Sequence, residues 1–237
     1  GKLLAGTKSW IAFHFFRFQP SEISKIILIL LLVYVFSEFK GDYLSWQKGI
    51  LSSAVVAVPF FLVALQPDLG TALSYIPIFF AALILAGLNK KTIIFLLIIT
   101  LFLGFLAWNF GLKDYQKKRL ITFIFPSQDP LGSSYHIIQS KIAIGSGGVL
   151  GKGYKKGTQS QLRFLPARHT DFIFSVIGEE FGFLGIVLAL LSYFFFLLRV
   201  FQSVGQSRDR PGVYIVFMVG VMIAFQFIVN VLMVIGL

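Results

Sequence analysis

The sequence contains no cysteine, so it forms neither a disulfide nor a thiolate metal site, and it says nothing about redox compartment. Charge is scarce. Charged residues make up 13% of the chain, against about 25% in a soluble domain, while mean hydropathy is +0.83. Acids are the scarcer sign, 10 against 21 basic residues, so every carboxylate outside an apolar run stands out. The three histidines, at 14, 136 and 169, show no helical HxxxH spacing and so no zinc pattern. Ser133, Ser134 and Ser160 lack the elbow motif of a hydrolase nucleophile. The glycines from Gly145 to Gly157 lack the Gly-Lys-Ser/Thr ending of a P-loop. Segments of about ten alternating residues, the mark of an outer-membrane barrel, are missing, as are internal repeats.

Long hydrophobic runs are what the sequence does have. Six lie at about 21–38, 49–66, 71–88, 92–110, 172–199 and 212–237, each near the roughly 20 apolar residues that cross a bilayer as a helix. The expected fold is all-α: one membrane domain over 1–237, a polytopic transmembrane helical bundle with a long loop at 111–171. Lys40 and Lys48, Lys90 and Lys91, and Arg199, Arg208 and Arg210 flank alternate connections. Basic short loops stay in the cytoplasm, which places 1–20 and 111–171 on the extracytoplasmic side. The net charge of +11 lies in these loops, so anionic lipid headgroups or a phosphorylated lipid are better partners than nucleic acid. No signal peptide precedes the first run, and both ends are expected outside, as in part of a larger membrane protein.

Six places carry polar chemistry. Glu22 and Lys25, three apart, share a helix face just after Pro20; they either cap a helix mouth or line a polar cavity. Asp68, in the break Gln66-Pro67-Asp68-Leu69-Gly70-Thr71, either caps the following helix, which its spacing favours, or faces the same outward cavity as Glu22. In the long loop, 135–144 reads as a short amphipathic helix on the membrane surface. The glycines that follow, with Lys152, Lys155 and Lys156 among them, read as a flexible loop or an anion cradle. Asp171 ends Arg168-His169-Thr170-Asp171, where the basic loop enters an apolar run. A lone carboxylate amid cations suits a general base whose neighbours stabilise a leaving anion; a helix cap is the alternative. Glu179 and Glu180 inside the fifth run could line a cavity, whereas Gln226 and Asn230 in the sixth suit interhelical hydrogen bonds.

WIAFHFFRFQPSEISK (10–25), QPDLGTA (66–72), FPSQDPLGSSYHIIQSKIAIGSGG (125–148) and GKGYKKGTQSQLRFLPARHTDFIFSVIGEEFGFLG (151–185) together resemble the SEDS family. These are the shape, elongation, division and sporulation proteins of bacterial cell-wall synthesis, and the wording follows the rod-shape branch. Where the family usually reads LPExHTDF, Ala167 replaces the Glu. The resemblance implies a membrane glycosyltransferase with ten spans, of which this chain would hold the fourth to ninth. Such an enzyme polymerises lipid II into peptidoglycan on the outer face of the cytoplasmic membrane, beside a class B penicillin-binding protein. It implies Asp171 as the catalytic general base, with substrate binding by Glu22, Lys25, Asp68, Arg119, Lys152, Arg168, His169 and Thr170. No cofactor is implied with certainty, and a divalent cation at the diphosphate is left open. A lipid II flippase and a non-catalytic scaffold for a transpeptidase are the competing functions.

Overall fold

The computed structural model describes residues 11–12, 17–37, 46–66, 68–87, 135–162, 164–165 and 170–236, with single positions at 94, 98, 102, 105, 109 and 117. The chain divides into two units, Gly1–Phe102 with Arg199–Phe225 and Leu103–Leu198 with Gln226–Leu237.

In the first unit a short antiparallel pair, β1 (Ile11–Ala12) and β2 (Arg17–Phe18), precedes helix α1 (Pro20–Ser37). Proline suits the first helical position because its missing N–H is unpaired there anyway. Ser21, Lys25, Leu28, Leu32 and Phe36 form the buried stripe of α1, while Ile23, Ile27, Leu30 and Tyr34 point outward. Helices α2 (Trp46–Ala64), α3 (Leu69–Leu73) and α4 (Tyr75–Leu85) follow. The apolar run expected as one helix at about 71–88 is therefore two. Ser74 separates them, its Oγ donating to the Thr71 carbonyl at 2.6 Å, a back-bond that competes with the helical pattern. Leu32, Phe36, Tyr75, Ile78, Ala82, Tyr214 and Met218 make the core of this unit.

The second unit holds α5 (Tyr135–Gly147), α6 (Thr158–Gln161), most of α7 (Ile173–Val204), whose end belongs to the first unit, and the end of α8 (Arg210–Ile235), whose start belongs to the first unit. The buried positions of α5 are Ile137, Ser140, Ala143 and Gly147. Its polar stripe is tied down within the protein: Ser140 Oγ donates to the Val234 carbonyl at 2.6 Å and meets Ser175 Oγ at 2.7 Å.

Helices α1, α7 and α8 are long and apolar enough to cross a membrane; Lys48–Ala64, within α2, and Gly70–Leu85, across α3 and α4, are shorter apolar helical stretches. Only 6% of the most apolar window of α7 is buried, an apolar surface that water would not tolerate and lipid does. The fold is all-α and polytopic, apart from the β1–β2 pair. The run expected at 92–110 lies largely outside the described residues.

Helix α7 is longer than the run at 172–199 suggested, and it is broken. Gly182 sits at φ 66°, ψ −161°, a region open essentially to glycine alone. In a continuous helix the Phe183 and Leu184 amides would bond the Glu179 and Glu180 carbonyls. Here Phe183 N–H donates to Gly148 O at 2.8 Å and Leu184 N–H to Val149 O at 3.2 Å. The freed carbonyls of Glu179 and Glu180 accept from Lys152 N–H at 3.0 Å and Gly153 N–H at 2.9 Å. The loop after α5 thus completes the backbone bonding that the break removes. A broken helix persists at membrane depth only when its polar groups are satisfied in this way.

Candidate functional site

Polar side chains gather in each unit, and each group is built by its own elements. In the first unit, Lys25 lies on the inner face of α1 with its side chain 2% exposed, and its Nζ is 2.8 Å from Glu22 Oε1, whose own side chain is 54% exposed. One turn of helix sets that pairing. The result is a buried ammonium tethered to a carboxylate that faces out. Beside it, Ser24 Oγ bonds the Tyr75 hydroxyl, which in turn donates to the Ser21 carbonyl at 3.2 Å. The buried Ser21 Oγ has no hydrogen-bond partner among the described residues, a polar atom left over in the same corner.

Asp68 is fully engaged. It caps α3 by accepting from Thr71 N–H at 3.2 Å, and its other oxygen accepts from Thr71 Oγ1 at 2.9 Å and Gln19 Nε2 at 3.3 Å. Three donors hold it as a structural anion, which is the capping role the sequence favoured.

In the second unit, Asp171 stands in the turn that leads into α7 and is exposed. Its neighbours fix it from below: Phe172 and Phe174 are buried in a small core with Ala143, Leu165 and Val234. From α8, Asn230 Nδ2 donates to the Asp171 backbone carbonyl at 3.2 Å. Among the described residues no hydrogen bond or ion pair engages the Asp171 carboxylate. The first turn of α7 is closed by Phe172 O, which accepts from the Ser175 and Val176 amides. Thr170 is exposed in the same turn.

Lys152 and Glu179 form the third cluster. Glu179 is 0% exposed, and its Oε1 accepts from Lys152 Nζ at 2.9 Å, Thr158 Oγ1 at 3.1 Å and Gln159 N–H at 2.9 Å. Lys152 also donates to Thr158 Oγ1 at 2.9 Å. The glycine-rich segment, expected as a flexible loop or an anion cradle, is instead packed into the break in α7. Glycine is required for that approach: a Cβ on Gly147 would lie 1.9 Å from Gly178 O, and one on Gly151 2.2 Å from Glu180 O. Lys152 N–H and Gly153 N–H are spent on α7 carbonyls.

Arg119, Arg168 and His169 lie outside the described residues, as does Ala167. Glu179 and Asn230 were visible in the sequence only as polar residues within apolar runs, a signal that calls for a partner without naming it. Among the described residues no three His, Asp or Glu side chains converge on a point.

Comparison with known proteins adds an independent line. The family model described as "Cell cycle protein", FtsW/RodA/SpoVE, matches residues 1–237. The peptidoglycan glycosyltransferase MrdB of Escherichia coli K12 is 40% identical over 213 residues, covering 90% of this chain and 57% of that protein. The peptidoglycan glycosyltransferase RodA of Treponema pallidum is 33% identical over 310 residues, covering 100% of this chain and 71% of its own length. The chain thus spans 57% of the length of MrdB and 71% of that of the Treponema protein. Among solved structures, a chain from a peptidoglycan synthase complex that coordinates polymerization and crosslinking aligns with TM-score 0.82 at 26% identity, covering 100% of this chain and 65% of that one. Thermus thermophilus RodA, a rod shape determining protein, aligns with TM-score 0.63 at 25% identity, covering 98% and 59%.

Proposed function

The chain belongs to the FtsW/RodA/SpoVE family of cell cycle proteins, and from that premise we propose that it carries the acceptor-activating site of a peptidoglycan glycosyltransferase. The substrate is lipid II, the product is a glycan strand, and the setting is cell-wall elongation and shape maintenance. The observation that carries the proposal is Asp171. It is an exposed carboxylate at the mouth of a membrane helix, held by Asn230 through its backbone, with no described partner for its side chain.

In the proposed reaction Asp171 takes the proton of the acceptor sugar's 4-hydroxyl as that oxygen attacks the donor's anomeric carbon. The anomeric C–O bond breaks, configuration inverts, and undecaprenyl diphosphate departs with the bonding pair. Cations stabilise the developing charge on the diphosphate; by the family resemblance Lys25, paired with Glu22, and Arg119 are assigned that part. Arg168, His169 and Thr170, next to Asp171 in sequence, are assigned to the sugar–diphosphate headgroup, and Asp68 to holding the mouth of α3. Lys152, whose Nζ also holds Glu179 and Thr158, is assigned to the headgroup as well, since an ammonium carries three donors.

The site is proposed to face the extracytoplasmic side of the bacterial inner membrane, by the distribution of basic loops. A class B penicillin-binding protein is the proposed partner, supported by the similar chain in a complex that couples polymerization to crosslinking.

The test is to incubate lipid II with the protein expressed from its complete reading frame, alone and with that partner, and to resolve the glycan by gel. Polymer is expected. Transbilayer movement of lipid II in proteoliposomes with no polymer under either condition would instead identify a flippase, and neither polymer nor movement would leave a scaffold.

A further inference from the structure

We propose that the loop from Gly148 to Lys156 is an interfacial foot: it inserts Val149 and Leu150 into the edge of the bilayer and sets Lys155 and Lys156 against anionic phospholipid headgroups. Depth is the first line of support. Between Glu180 and Arg199 helix α7 carries no charged residue, a length of about 27 Å at about 1.5 Å per residue. That nearly matches a hydrocarbon core of about 30 Å. The break at Gly182 therefore falls at one edge of the core. The bonds Phe183 N–H to Gly148 O and Leu184 N–H to Val149 O fix the loop tip about one turn inside that edge.

Exposure is the second. Val149 is 64% exposed and Leu150 77%, on a loop whose backbone is otherwise tightly bonded. They continue the outward apolar surface of Phe181, Phe183, Leu184 and Leu188 on α7, the surface that lipid covers.

Charge and aromatic placement are the third. Tyr154, 67% exposed, packs its ring 6.3 Å from Phe181, and Lys155 Nζ lies 5.2 Å over the Tyr154 ring. A tyrosine whose ring packs against an apolar side chain at the end of a span is suited to the headgroup level. Lysines just above it can extend along the apolar stem to phosphate. Lys155 takes φ 57°, a turn that brings the chain back from the tip and leaves two lysines side by side. An aqueous loop has no need of paired exposed aliphatics, and a protein groove would not place them level with the lipid face of α7.

The test uses the complete protein in lipid nanodiscs, with a nitroxide label at Leu150→Cys or Val149→Cys as the sole thiol and at Gln161→Cys as the aqueous reference. All three positions are exposed, so the fold tolerates the label. Power-saturation spectra are expected to show Leu150 and Val149 open to oxygen and shielded from a water-soluble nickel chelate, with Gln161 reversed. Adding phosphatidylglycerol to phosphatidylcholine discs is expected to deepen the Leu150 label, and Lys155→Gln with Lys156→Gln to abolish that response. Nickel access at Leu150 equal to that at Gln161 overturns insertion. Insertion that ignores phosphatidylglycerol overturns the headgroup role. Both readouts are independent of glycan synthesis.

Discussion

Three acids of similar chemistry have three fates, decided by what surrounds each oxygen. Asp68 holds three donors and serves as a cap. Glu22 is half exposed and neutralises a buried lysine. Asp171 offers its carboxylate outward. These assignments separate stability from activity. Glu22→Gln leaves the Lys25 ammonium buried without its counter-charge, and breaking such a pair costs about 3–5 kcal/mol at most, reduced here because Glu22 meets solvent. Lys25→Met fills the same space with an apolar side chain and leaves Glu22 hydrated. The expected outcome is a lower Tm for Glu22→Gln and a near-normal Tm for Lys25→Met, with glycan synthesis lost in the latter; thermal unfolding and a polymerisation assay check both. At this scale the sequence was readable. The i, i+3 spacing of Glu22 and Lys25, the turn residues around Asp68 and the isolation of Asp171 are local features, and local features survive without knowledge of the fold. Asn230 was less so: the carbonyl it reaches is 59 residues away.

The break in α7 belongs to the scale of elements, and there the sequence misled. A run of glycines beside lysines suggested looseness or anion binding. Its real constraint is contact between two backbones, invisible until α5 and α7 are placed side by side. The consequence is testable. In Gly182→Ala the Cβ would meet Gly151 N at 2.4 Å and Val149 O at 2.5 Å, and the backbone strain alone costs about 1–3 kcal/mol. Amide exchange at Lys152, Gly153, Phe183 and Leu184 is expected to accelerate together, because one insertion protects all four. Gly70→Ala, with nothing within 4 Å of the new Cβ, is the matched control and should leave Tm unchanged or slightly raised. Lys152→Met removes one cation from Glu179, a fully buried carboxylate that keeps Thr158 and the Gln159 amide among its partners. A loss on the order of 3 kcal/mol is expected, again read as Tm and as faster exchange of the loop. Normal exchange in both Gly182→Ala and Lys152→Met would falsify the latched loop.

At the scale of the whole molecule, hydropathy gave the class of fold because membrane helices announce themselves by length and composition. What it could not give is where a helix breaks, as at Ser74 and Gly182, since both depend on local hydrogen bonding rather than on hydropathy. The functional proposal also lives here, because a sugar polymer is made only if one carboxylate can act on a lipid-borne substrate at the membrane edge. The most direct measurement is lipid II turnover by Asp171→Asn beside the unsubstituted protein, with lipid II binding and Tm recorded for both. Loss of a general base costs about 10²- to 10⁴-fold in rate. The expected result is a fall of that size in the polymerisation rate with Tm and lipid II affinity retained. Polymerisation at an undiminished rate by a folded Asp171→Asn protein would contradict the assignment and return Asp171 to the architecture of the turn.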